Sequence, residues 1–197
     1  MKRFDRRKWK IRPVSVDQLS DKMLLANLYA TQFLIVIIGL SWIILQGRNV
    51  FSLLAFPGDG DFALWAAGLA GAALIGDWAA SRFVPQEAMD DGGVNERLFR
   101  RRPVWHIALI ALVVSLCEEI LFRGAIQYAF GPYWTSVLFA AIHVRYLRHW
   151  VPTGMVFLVS YGLGWIMIES GTIWAPILAH FLFDFIMGLI IRFRRVS

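Results

Sequence analysis

Uninterrupted apolar stretches recur along nearly the whole chain, at 24–45, 62–81, 104–124, 133–146, 152–168 and 173–191. Crossing about 30 Å of hydrocarbon as a helix takes roughly 20 apolar residues. A soluble core could hide one or two such helices, but not a succession of them. Only 17% of residues are charged and 58% are hydrophobic, with a mean hydropathy of +0.56, against about 25% charged and 45 to 50% apolar in soluble domains. The expected fold is therefore all-α, a polytopic transmembrane helix bundle of about six spans. The fourth span is short unless it carries Arg145 and Arg148 in its last turns, where long basic side chains reach the headgroups. Pro132 and Pro152 suit first-turn positions, and Pro57-Gly58-Asp59-Gly60 marks an exposed connection between the first two spans.

The net charge of +6 and pI near 9.9 raise the question of nucleic acid, which the placement of the basic residues answers. Lys and Arg cluster in the arm 1–22, between Arg82 and Pro103, at Arg145 and Arg148, and in the tail 192–197; only Arg48 and Arg123 fall elsewhere. With six spans all these clusters lie on one side, which predicts both termini in the cytoplasm. The arm then meets anionic lipid rather than nucleic acid. The chain divides into this arm, two N-terminal spans with a basic cytoplasmic loop (23–103), a bundle carrying the chemistry (104–191) and the tail. A long basic segment before a spanning-length run, with no evident cleavage pattern, predicts that the first run stays as a helix rather than serving as a secretory signal. Cys117 is the single cysteine and can form no internal disulfide; packing is its expected role.

A charged side chain at the centre of a membrane helix costs roughly 2.5 to 3.5 kcal/mol on insertion scales, so each one needs a reason. The third span contains Glu118, Glu119 and Arg123. Glu119 and Arg123 are four apart, share a helix face and can pair. Glu118 points about 100° away and is the carboxylate left to act on something else, as a general base would. Helix-to-helix pairing alone could account for these three residues. Their company adds weight to a chemical role: His143 toward the cytoplasmic end of the fourth span, and His180 with Asp184 one turn apart in the sixth. A Glu, two His and an Asp on three spans are the ingredients of a water-activating site.

In order, the motifs are Glu118-Glu119 with Arg123, Phe139 with His143, and His180 with Asp184. In these the chain resembles the CPBP family of intramembrane endopeptidases, which includes the type II CAAX prenyl endopeptidases. The run from Gly171 to His180 resembles the family's approach to its third motif, and the likeness covers about 104–191. The resemblance implies a peptide hydrolase: Glu118 and His143 activate a water, and His180 with residue 184 stabilises the oxyanion. Many members carry Asn where this chain has Asp184. An ionised Asp repels an oxyanion, so Asp184 must be protonated, or orient His180 or a metal-bound group. The resemblance further implies a membrane-associated peptide or protein substrate, and the compact chain suggests a bacterial cytoplasmic membrane, where a prenylated substrate is not expected.

Three alternatives remain at this level. A metalloprotease would hold zinc through His143, His180 and Glu118, although nothing like HExxH is present. A non-catalytic membrane regulator or immunity-type protein would retain the motif residues without turnover. A proton-coupled transporter would also use intramembrane Glu, His and Asp. There is also a problem of depth: Glu118 lies about 20 Å above the Val104 end, while His143 is expected near the cytoplasmic side, so a tilted, longer or broken helix must reconcile them. Asp77, His106 and His149 read as interfacial residues, and Gly162 and Gly164 as sites of close helix packing.

Overall fold

The computed structural model describes residues 19–58, 60–85, 93–144, 147 and 149–194. Most of the basic arm, Asp59, part of the second basic cluster's loop, Arg145, Arg148 and the end of the tail lie outside the described residues. The rest is helical: α1 (Asp21–Leu45), α2 (Val50–Leu53), α3 (Asp61–Phe83), α4 (Val94–Phe99), α5 (Val104–Glu119), a π-helical segment (Ile120–Ile126), α6 (Gln127–Ile142), α7 (Trp150–Ser170) and α8 (Trp174–Phe193). Caps define several ends. Ser20 accepts a hydrogen bond from the Met23 amide, Asn49 accepts from Phe51 and Ser52, and α7 stops at Gly171, whose φ of 67° suits a residue without a Cβ.

Five helical runs are long and apolar enough to cross a membrane, and Val104–Ile142 is by far the longest at 39 residues. Straight, that run would extend about 58 Å at 1.5 Å per residue, roughly twice the hydrocarbon thickness. It folds back instead. Gly131 takes φ 74° and ψ 170°, a conformation that glycine alone adopts at no steric cost. Pro132 then opens the returning arm, as its first-turn expectation requires. The Thr135 and Ser136 hydroxyls donate to the Gly131 and Pro132 carbonyls, each at 2.7 Å. Doubling back brings the Phe122 and Phe139 rings to 4.7 Å between centroids, whereas a straight helix would separate them by about 25 Å.

The 104–142 run thus supplies two of the six segments, with corrections to both. The third continues past Gly124 to the break at Gly131, and the fourth ends at Ile142 rather than 146. After Gly131 it is about 16 Å long, half the thickness of a bilayer.

Close approaches set the helix positions. A Cβ on Gly39 would lie 3.0 Å from the Leu121 backbone, so α1 presses against the π segment. On Gly188 it would lie 2.6 Å from Ile107, where α8 crosses α5, and on Gly162 it would lie 2.6 Å from Leu69, where α7 meets α3. Helix α8 packs against α3, α4, α5 and α7. Large apolar side chains such as Phe33, Leu34, Ile75 and Trp78 face outward, as an integral membrane protein requires. At one end of the bundle Arg97 of α4 bonds Asp21 at 3.0 and 3.1 Å, and Arg192 of α8 bonds the Arg102 carbonyl. The described parts of three basic clusters therefore share one end.

Candidate active site at the middle of the bundle

Arg123 is the largest fully buried side chain among the described residues, at 1% exposure, and Glu119 is at 0%. Burying either charge alone would cost several kcal/mol, and the helix spacing provides the remedy. One turn apart, they meet through Arg123 Nε and Glu119 Oε2 at 2.9 Å. Arg123 also donates to Ser160 Oγ of α7 at 2.8 Å and, more weakly, to Gln127 Oε1 at 3.4 Å. Gln127 in turn donates to the Gly164 carbonyl at 2.9 Å. The second Glu119 oxygen faces His180 Nδ1 of α8 at 2.8 Å. Glu119 accepts from a guanidinium, so the His180 nitrogen on its other side is the donor in this pair. Arg123 thereby ties the third span to α7 and Glu119 ties it to α8, with both carboxylate oxygens engaged.

The neighbouring Glu118 points elsewhere, as the 100° offset requires. Its Oε1 accepts from Gln32 Nε2 of α1 at 3.2 Å, and it lies within electrostatic reach of His180 and Asp184. Asp184 Oδ2 is 3.5 Å from His180 Nε2, too long for a well-formed hydrogen bond. Gln32 is itself 6% exposed, and its Oε1 is buried without a hydrogen-bond partner among the described residues. Leaving a buried acceptor unmet costs about 1 to 3 kcal/mol.

His143 caps α6, and its Nδ1 bonds the Phe139 carbonyl at 2.6 Å. The Phe139 ring joins the two histidines, 4.5 Å from the His143 ring and 6.4 Å from that of His180. The guanidinium of Arg123 lies 5.8 Å from the same ring. Equal numbers of residues separate Gly131 from Glu119 and from His143, so the returning arm brings His143 back to the depth of Glu119. The expectation of His143 near the end of the bundle is corrected, and the depth problem disappears: the turn sits beyond Glu119, and the returning arm is short. By the same count, Gln32 lies about 17 Å from the Asp21 end of α1, and Ser160 about 15 Å from either end of α7. The cluster is at mid-membrane depth.

The helix that carries Arg123 is π-helical from Ile120 to Ile126, a distortion that recurs at functional sites. Side chains from the α1–α2 connection hold it. Arg48 donates to the Gly124 carbonyl, with its guanidinium 4.1 Å over the Tyr128 ring, and Gln46 donates to the Ala125 carbonyl at 2.9 Å.

Of the six residues proposed from sequence, Glu119, Arg123, His180 and Asp184 thus join one polar network with Gln127 and Ser160, His143 adjoins it through the Phe139 ring, and Glu118 lies within electrostatic reach of it, bonded to Gln32. Sequence reasoning missed Gln32, Gln127 and Ser160. Gln127 continues the four-residue stripe of Glu119 and Arg123 and was readable from spacing. Gln32 and Ser160 are neutral, so they raise no alarm in an apolar run. Zinc fits the donor set poorly: His180 has Glu119 at one nitrogen and Asp184 near the other, and no three His, Cys, Asp or Glu side chains among the described residues are grouped to hold an ion. Among the described residues, Asp77 and His149 make no hydrogen bond or ion pair with this cluster, while His106 shares a hydrogen bond with Tyr29 at 3.1 Å. Gly164 justifies its packing role, since a Cβ there would lie 2.6 Å from Gln127 Oε1.

Comparison with known proteins finds similarity over part of the chain. Residues 100–186 match the model of the Type II CAAX prenyl endopeptidase Rce1-like family, a segment that contains all three motifs. The chain is also 37% identical over 123 residues to the uncharacterized protein YpbD of Bacillus subtilis (strain 168), which covers 62% of this chain and 65% of that relative. No solved structure matches the chain.

Proposed function

From the match of residues 100–186 to the Type II CAAX prenyl endopeptidase Rce1-like family, we propose that the chain hydrolyses a peptide bond of a membrane-associated peptide or protein. The observation that carries this reading is the unequal use of two adjacent carboxylates. Glu119 is committed to Arg123 and His180, whereas Glu118 is held by one neutral amide and faces the same cluster.

In the proposed reaction Glu118, with His143, removes one proton from a water as its oxygen adds to the scissile carbonyl carbon. The carbonyl oxygen becomes an oxyanion. Protonated on both ring nitrogens, His180 donates one hydrogen bond from Nδ1 to Glu119 and a second from Nε2 to that oxygen. The intermediate collapses as the C–N bond breaks, and the proton held by Glu118 passes to the leaving nitrogen. An ionised Asp184 would repel the oxyanion, so we assign it the orientation of His180. Its 3.5 Å distance from Nε2 leaves that proton available to a closer acceptor. No step is assigned to a metal.

The bundle end that carries the basic residues faces the cytoplasm in this reading, with both termini there and the arm against anionic lipid. The bacterial relative supports a bacterial cytoplasmic membrane, and no prenyl group is required of the substrate. The test compares membrane-anchored peptides in cells carrying the wild-type chain or Glu118→Ala at matched expression. A product that disappears with Glu118 supports the peptidase and identifies its substrate. Identical peptide profiles, with the biological phenotype intact, would favour a non-catalytic membrane regulator.

A further inference from the structure

Helix α1 lies outside the family-matched segment and bears none of the three motifs, yet one of its side chains reaches the proposed base. Gln32 is buried, stands near the middle of α1 and donates from Nε2 to Glu118 Oε1 at 3.2 Å. Its Oε1, equally buried, accepts no hydrogen bond from the described residues. A residue serving only to join α1 to the third span would need the Nε2 contact alone. The reverse amide orientation would set Oε1 against a carboxylate oxygen, acceptor against acceptor. The observed orientation puts an unmet acceptor beside the proposed base, at mid-membrane depth.

A hydrolytic water has two O–H bonds, and both need partners if its lone pair is to point at a carbonyl carbon. One is directed to the base. Resting on the reading of Glu118 as that base, we infer that Gln32 is a further catalytic residue: Oε1 accepts the second O–H of the attacking water while Nε2 fixes the Glu118 carboxylate. Gln32 neither gains nor loses a proton. The hydrogen it holds stays on the oxygen as the hydroxyl of the tetrahedral intermediate, and the other passes to Glu118. The water is thus gripped from two helices, one on either side of the motif boundary.

The experiment uses the full chain in proteoliposomes, with Gln32→Leu beside wild type and Glu118→Ala. The probe is the membrane peptide whose cleavage disappears in Glu118→Ala. Loss of water orientation lowers kcat by about 100-fold with KM nearly unchanged. The thermal midpoint in detergent does not fall, because the substitution also removes the unmet acceptor. Wild-type kcat in Gln32→Leu overturns the inference, as does a lost rate accompanied by a lowered midpoint, which would mark a structural residue. Cleavage that persists in Glu118→Ala, or is absent from every chain, defeats the peptidase reading instead. An unshifted infrared band of the Glu118 carboxyl in Gln32→Leu, assigned by its loss in Glu118→Ala, also overturns the inference, since Nε2 would then not hold that carboxylate.

Discussion

The motif-bearing half of the bundle and the N-terminal helices contribute to the site in different currencies. From Glu118 to Asp184 the chain provides every charged and imidazole group of the cluster. The N-terminal half provides neutral contacts and one peripheral cation: Gln32 on Glu118, and Gln46 and Arg48 on the π segment. Within that half there is a second division. Helix α1 reaches the chemistry, while α3 packs on α7 and α8 through contacts such as Leu69 against Gly162. The lesson is that a motif marks where reacting groups are, not the whole set of helices that hold them in register.

Several substitutions break or sharpen this contrast, from the largest effect downward. Glu118→Ala should lower product formation by about 10²- to 10⁴-fold and leave the fold intact, read as the rate at matched membrane levels. Arg123→Leu removes the guanidinium from the buried Glu119 and leaves its carboxylate with His180 alone. It should destabilise the bundle by about 3 to 5 kcal/mol, measured by denaturant titration in detergent, and equal stability would deny that the pair is structural.

Gly164→Ala drives a methyl toward Gln127 and Arg123, at 2.6 and 3.3 Å. It should cost about 1 to 3 kcal/mol and reduce turnover as well. Gly162→Ala meets the flexible end of Leu69 at a similar distance, yet should leave kcat alone, because α3 carries no site residue. Equal kinetic losses at the two glycines would erase the distinction between α1 and α3. Asp77→Asn, smallest of all, should stay within about 0.5 kcal/mol of wild type with unchanged turnover.

Much of this architecture was legible in the sequence because it follows from length and period. Apolar runs mark α1, α3, α7 and α8 within a few residues, and the four-residue spacing of Glu119 and Arg123 predicts their pair. What escaped depends on tertiary geometry. Pro132 marked a helix start, but only the folded chain shows that Gly131 reverses the direction and that the fourth segment covers half a bilayer. A π turn has no hydrophobic period of its own, so Ile120–Ile126 read as ordinary helix. Gln32 and Ser160 carry no charge and so incur no conspicuous insertion penalty. Arg48 stood out as the lone cation between clusters, but its carbonyl partner at Gly124 could not be read from spacing.

The most direct test of the account is isotopic. Membranes containing the full chain are incubated in H₂¹⁸O, and newly formed peptide C-termini are analysed by mass spectrometry, with Glu118→Gln as the comparison. The account predicts a single ¹⁸O in the new carboxyl groups of the wild-type sample and none above background in the variant. Labelled termini at equal levels in both would contradict Glu118 as the base that makes the water a nucleophile.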